Sequence, residues 1–126
     1  MARTCLLLAL AGAAGTLARW GLGAAVTAIR PGSFPWATLA VNALGCLLFG
    51  VVTAFADARG SLSAEMRGVL TTGFLGAFTT FSTFASETVH LHRDGRGGAA
   101  LLNVAAQVFL GLAFAFLGDR LVRQGA

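Results

Sequence analysis

Six consecutive residues, Thr79-Thr80-Phe81-Ser82-Thr83-Phe84, bring four hydroxyls and two aromatic rings into Gly68–Ser86, a stretch without a charged side chain. Hydroxyls so dense in apolar sequence can each bond back to the carbonyl four residues earlier, as ordinary polar groups of a membrane helix do. They can also supply the alternative hydrogen bonds that a break in such a helix requires, and Gly76 just before them favours one. A break would free backbone carbonyls to coordinate a small hard cation such as Na⁺. Phe81 and Phe84, three apart, share one helix face. Their ring edges carry positive quadrupole density that can touch an anion; alternatively the pair is a lipid-facing stripe. The residues leave both choices open.

Asn42 lies near the middle of the charge-free run Pro31–Ala56, with Thr38 four residues earlier on the same face. An amide at that depth must bond something. It serves either as interhelical glue or as an N–H offered to an anion in a pore. Arg19 is the only full charge well inside an expected span. It either snorkels to the interface as an anchor or draws anions toward a vestibule. Asn103 and Gln107, four apart, form a polar stripe in the last apolar run, with Asn103 close enough to its end that burial is not expected.

Missing residue types narrow the chemistry further. No carboxylate falls deep within an expected span, since Glu87 is at the end of the third and Asp119 closes the fourth. A proton-coupled exporter of drug cations needs such an acid to exchange protons for cargo. His90 and His92 face different directions on a helix, and no acid or base is paired with a nucleophile, so neither a metal site nor a serine–histidine enzyme is expected.

These residues are positioned by elements that the composition identifies. Only 11% of the 126 residues are charged, against about 25% in a soluble domain. With 56% hydrophobic residues, a soluble fold of this size has too little interior to hide them. A membrane-crossing helix needs about 20 apolar residues. The charge-free runs therefore predict an all-α integral membrane protein, one domain over 1–126 with four spans near 4–29, 34–56, 66–89 and 98–119. Arg30-Pro31-Gly32-Ser33-Phe34-Pro35-Trp36 is expected to be a loop entering the second span near Pro35, and Ser61 or Ser63 to cap the third. Cys5 and Cys46 fall inside spans and are expected to pack as small apolar residues.

The first residues also look like a signal peptide with a small-residue site at Ala11-Gly12-Ala13, but cleavage would strand the Arg19 segment, so the stretch is expected to stay as the first span. The net charge of +4 comes from arginines scattered at span ends, with no basic run, so no nucleic-acid partner is expected. Five arginines (Arg3, Arg59, Arg67, Arg120, Arg123) fall on one side of the membrane and three (Arg30, Arg93, Arg96) on the other. Orientation usually follows a larger asymmetry. The chain is thus able to insert in either direction, and two opposed copies could pair about an axis in the membrane plane.

Three motifs, Gly12-Ala13-Ala14-Gly15-Thr16-Leu17-Ala18-Arg19-Trp20, Pro35 through Gly45, and Gly73 through Phe84, make the chain resemble the Fluc fluoride channels, also called CrcB proteins, over all four spans. The resemblance implies a passive fluoride-selective channel of the cell membrane that exports fluoride down its gradient. It implies four transmembrane helices, the third broken at mid-membrane, in an antiparallel dual-topology dimer with two pores. A structural Na⁺, not transported, would be held at the dimer centre by backbone carbonyls of Gly76 and Thr79. The pore phenylalanines would be Phe81 and Phe84, the second-helix asparagine Asn42, and the conserved-position arginine Arg19. Thr83 and Thr38 would add hydroxyls to the anion path.

This chain departs from the family in having Gly76-Ala77 where Gly-Gly is usual, Ala37 where Gly is common, and no Tyr, with Asn103 and Gln107 at the fourth-span polar positions. Partners implied are fluoride, membrane lipid, and either a second copy or a related chain. The rival readings are a small proton-coupled multidrug-type exporter, marked by flux that follows a proton gradient, and a non-conducting membrane subunit, marked by no flux at all.

Overall fold

A computed structural model describes residues 1–59 and 62–125; the expected cap at Ser61 lies outside them. Helix α1 (Ala2–Ile29) runs uninterrupted until Arg30-Pro31. Pro31 has no N–H to donate and its ring disfavours helical geometry in Arg30, which leaves the helix at φ −126°, ψ 67°. The loop is tied locally: the Arg30 guanidinium carbon lies 5.4 Å above the Trp36 ring, and Arg96 Nη1 donates to the Ser33 carbonyl at 3.3 Å. Helix α2 (Trp36–Arg59) starts after Pro35, whose carbonyl accepts from Leu39 N–H at 3.1 Å.

The expected third span at 66–89 is not one continuous helix. It is divided into α3 (Ala64–Gly68), a π-helical segment (Val69–Leu75), α4 (Gly76–Phe78) and α5 (Phe81–Arg93). Thr79 (φ −84°, ψ 160°) and Thr80 (φ −151°, ψ 108°) are extended between the last two. Ser63 caps α3, its Oγ accepting from Met66 N–H at 3.2 Å. Replacing Ser63 with Ala should cost about 1 kcal/mol, read as a lower thermal unfolding midpoint, and Ser63→Asp should restore it. Gly95, at φ +74°, turns the chain from α5 into α6 (Gly97–Gln124).

Three helices of the described residues are long and apolar enough to cross a membrane: Ala2–Ile29, Trp36–Asp57 and Gly97–Gln124. Most of their large apolar side chains, Leu10, Leu17, Phe109 and Leu112 among them, face outward, as lipid as solvent allows. Without a hydrophobic drive between helices in lipid, close approach depends on small residues. Gly50 on α2 lies directly against the Ala115 carbonyl of α6, and Gly118 on α6 against the Leu47 carbonyl of α2, so a Cβ at either would overlap the opposing backbone. Gly15 on α1 meets the Phe74 carbonyl of the π-helical segment in the same way.

Candidate functional site

The extended pair Thr79-Thr80 turns its backbone groups sideways, out of the helical ladder, and α2 receives them. Asn42 Oδ1 accepts from Thr80 N–H at 2.9 Å, and Asn42 Nδ2 donates to the Thr80 carbonyl at 3.2 Å. The second amide hydrogen of Asn42 goes to Gln107 Oε1 on α6 at 3.1 Å. Asn42 is thus the interhelical glue that one of its two sequence readings expects, joining α2, the 79–80 junction and α6.

In a continuous α-helix the N–H of Thr80 would donate to the Gly76 carbonyl and that of Thr83 to the Thr79 carbonyl. Here the first goes to Asn42 Oδ1 and the second to Thr80 Oγ1, at 3.2 Å. The carbonyl oxygens of Gly76 and Thr79 therefore lose their helical donors. Of the four hydroxyls in the motif, only Thr79 takes the ordinary route back, Oγ1 donating to the Leu75 carbonyl at 2.9 Å. Thr80 is instead the cap of α5 and donates its own hydroxyl to Thr83 Oγ1 at 2.9 Å, with Ser82 Oγ at 3.4 Å.

Two cavities meet at Thr80. One, of about 270 Å³, is lined by Arg19, Thr38, Thr80 and Thr83. Arg19 brings a guanidinium to this cavity with no carboxylate in ion-pair distance among the described residues, while Glu87 reaches the cavity's lining through Thr38 Oγ1. The other, of about 400 Å³, is lined by Asn42, Phe81, Phe84 and Gln107 together with Gly76 and Thr79. The Phe81 and Phe84 rings meet edge-on at 5.4 Å and 66°. Phe81 is 78% exposed, so nothing in this protomer covers it. All six residues expected to line an anion path fall on one cavity or the other, and the two residues expected at the cation lie beside them. What collects here is a set of polar groups in apolar surroundings: hydroxyls, carboxamides, ring edges and one guanidinium.

Sequence reasoning missed two participants and the burial of a third residue. Thr80 lines both cavities; its signal was legible, a Thr opening a helix with Thr83 three residues on. Glu87 was expected at the end of a span, but α5 continues to Arg93, so Glu87 is half-buried within the helix. Thr38 Oγ1 donates to Glu87 Oε1 at 2.8 Å, and Glu87 Oε2 is buried without a hydrogen-bond partner. Nothing in the sequence links these two, 49 positions apart. Asn103, expected too near a helix end for burial, is fully buried and donates to Thr88 Oγ1 at 2.9 Å. The physical reason is that α6 begins at Gly97 and packs that end against α5.

Comparison with known proteins supplies the family. A family model described as CrcB-like protein, Camphor Resistance (CrcB), matches residues 6–119. The protein named Fluoride-specific ion channel FluC from Nitratidesulfovibrio vulgaris (strain DSM 19637 / Miyazaki F) is 52% identical over 112 residues, 89% of this chain and 90% of its own. One of the same name from Thermus thermophilus (strain ATCC 27634) is 51% identical over 116 residues, 92% of each chain. Another, from Geobacter sulfurreducens, is 46% identical over 121 residues, 96% of this chain and 98% of its own. With a family model matched from Leu6 to Asp119 and relatives about half identical along nearly their whole length, the chain belongs to the CrcB family.

Proposed function

We propose that this chain is a fluoride-specific ion channel of the cell membrane, a multi-pass protein and not an enzyme, that lets fluoride leave the cytoplasm down its gradient. The observation that carries this is the gathering of Arg19, Thr38, Thr83, Asn42, Phe81 and Phe84 on two cavities meeting at Thr80, in a chain about half identical to proteins named fluoride-specific ion channels. Fluoride is small and strongly hydrated, so a pore must replace its water with many donors at short range. Arg19 raises the local anion concentration. The hydroxyl of Thr83 and the ring edges of Phe81 and Phe84 then replace water, joined by the hydroxyl of Thr38 when its bond to Glu87 exchanges. Asn42 contributes an N–H when one of its two present bonds exchanges.

In this reading α3, the π-helical segment, α4 and α5 together form a fourth crossing, broken at Thr79-Thr80. Two copies pair with opposed orientation to form a dimer with two pores. The uncovered Phe81 ring and the small arginine bias support pairing with a second copy or a closely related chain. A structural Na⁺, not transported, is held by the Gly76 and Thr79 carbonyls. The fit rests on the donor set: two hard oxygens deprived of their helical N–H partners, with no carboxylate among the described residues that line their cavity, suit a monovalent hard cation. Bound there, Na⁺ supplies fixed positive charge that holds the junction's carbonyls in place.

The test is efflux from liposomes containing the purified chain alone, followed with a fluoride-selective electrode and repeated with chloride. Rapid fluoride release with negligible chloride release is expected. Absence of fluoride release, unrepaired by co-expression with a related chain, would overturn the reading. Repair by such a chain would assign a paired heterodimer.

A further inference from the structure

Asn42 and Gly45 are three residues apart on α2 and share the face that meets the 79–80 junction. Asn42 holds both backbone groups of Thr80. Gly45, itself buried, meets the residue before it: a Cβ at this position would overlap Thr79 Cγ2 and stand 3.3 Å from Phe78 Cδ1. Thr79 has little freedom to step aside. Its Oγ1 donates to the Leu75 carbonyl at 2.9 Å and its N–H donates to the same oxygen at 3.0 Å, so turning the side chain about χ1 sacrifices the hydroxyl bond. Phe78 is buried and its ring stacks on Phe74 at a centroid distance of 5.9 Å, so it cannot swing out into open space either. A side chain at position 45 is accommodated only by moving the junction away from α2, and that movement pulls Thr80 off Asn42.

We propose that Gly45 is a positioning residue of the channel: its missing side chain is the recess that seats the Thr79 methyl group, and this seating sets the direction of the Thr79 carbonyl. The readout for that direction rests on the Na⁺ reading above.

The experiment compares Gly45→Ala, Thr79→Ser and the double variant with the parent chain, all full-length in liposomes, measuring fluoride efflux against Na⁺ concentration. Serine keeps Oγ1 for Leu75 and removes Cγ2, the atom the new Cβ would overlap. Gly45→Ala is expected to raise the Na⁺ concentration for half-maximal efflux, or lower efflux, by about tenfold or more. In the Thr79→Ser background the same change should cost much less. A parent-like Gly45→Ala, or an equal loss in both backgrounds, overturns the proposal. Should Gly45→Ala fail to give monodisperse protein, recovery of monodisperse protein in the double variant supports the proposal, and failure to recover it overturns it. If efflux by the parent chain is independent of Na⁺, the cation reading is what fails, and the background dependence of the efflux loss still decides the role of Gly45.

Discussion

Replacing Asn42 with Asp is expected to abolish fluoride efflux from liposomes. The substitution keeps the shape of the side chain and one of its three bonds, since a carboxylate oxygen still accepts from Thr80 N–H, at 2.9 Å in the parent chain. The other oxygen takes the place of an amide nitrogen that donates to the Thr80 carbonyl at 3.2 Å and to Gln107 Oε1 at 3.1 Å. A carboxylate has no hydrogen to give. Two donor–acceptor pairs become acceptor–acceptor pairs, each costing about 1–3 kcal/mol in full burial and less at a half-buried side chain such as Asn42. The added charge also repels the permeating anion. At 4 Å and an effective dielectric constant near 20 the repulsion is about 4 kcal/mol, roughly a thousandfold in occupancy. Electrode traces from Asn42→Asp liposomes matching the parent would show that this side chain neither holds the junction nor borders the path.

Replacing Gly118 with Leu is expected to eliminate folded, monodisperse protein. The Gly118 Cα faces α2 so closely that a Cβ would overlap the Leu47 carbonyl oxygen and lie 2.9 Å from Val51 N. Gly50 makes the reciprocal approach, with Asp119 N at 3.0 Å from its own would-be Cβ. Side-chain overlaps of this kind cost about 1–3 kcal/mol because rotamers and backbone can adjust. Here both obstructing groups are helix backbone, whose displacement would separate α2 from α6 along their length, so the cost should exceed that range. Gly111→Ala is the contrasting case: its Cβ meets Cys46 Sγ at 3.5 Å, an ordinary contact, and its melting curve should stay close to the parent's. Size-exclusion profiles and thermal melts in detergent give both comparisons; a well-behaved Gly118→Leu protein would mean that α2 and α6 do not pack through these glycines.

Charge-free runs in the sequence predicted four spans, and three of them stand as long apolar helices among the described residues, because a lipid solvent demands such runs whatever the neighbours do. The hydroxyl–aromatic motif was equally visible, since its density in apolar sequence has few explanations. The division of 64–93 was less so. Local sequence offers Gly76 and a string of hydroxyls, but these support a back-bonded helix as well as an interruption. The choice depends on whether Thr80 finds Asn42, 38 positions away. The same holds for Thr38 and Glu87, and for Asn103 and Thr88: each is a hydrogen bond between helices that periodicity places on a face without naming the partner.

Sequence alone therefore determined that this chain lives in a membrane, which residues carry its polar chemistry, and which family's motifs it bears. Each of these follows from residue type and short-range spacing. Tertiary structure alone decided that Asn42 grips both backbone groups of Thr80, that Gly76 and Thr79 lose their helical donors, and that two cavities meet at one threonine. Hydrogen bonds between distant helices form only when the helices pack closely enough to bring donor and acceptor atoms within about 3 Å. In lipid, with no hydrophobic force to draw helices together, that approach is set by where glycines such as Gly45, Gly50 and Gly118 come to face one another's neighbours.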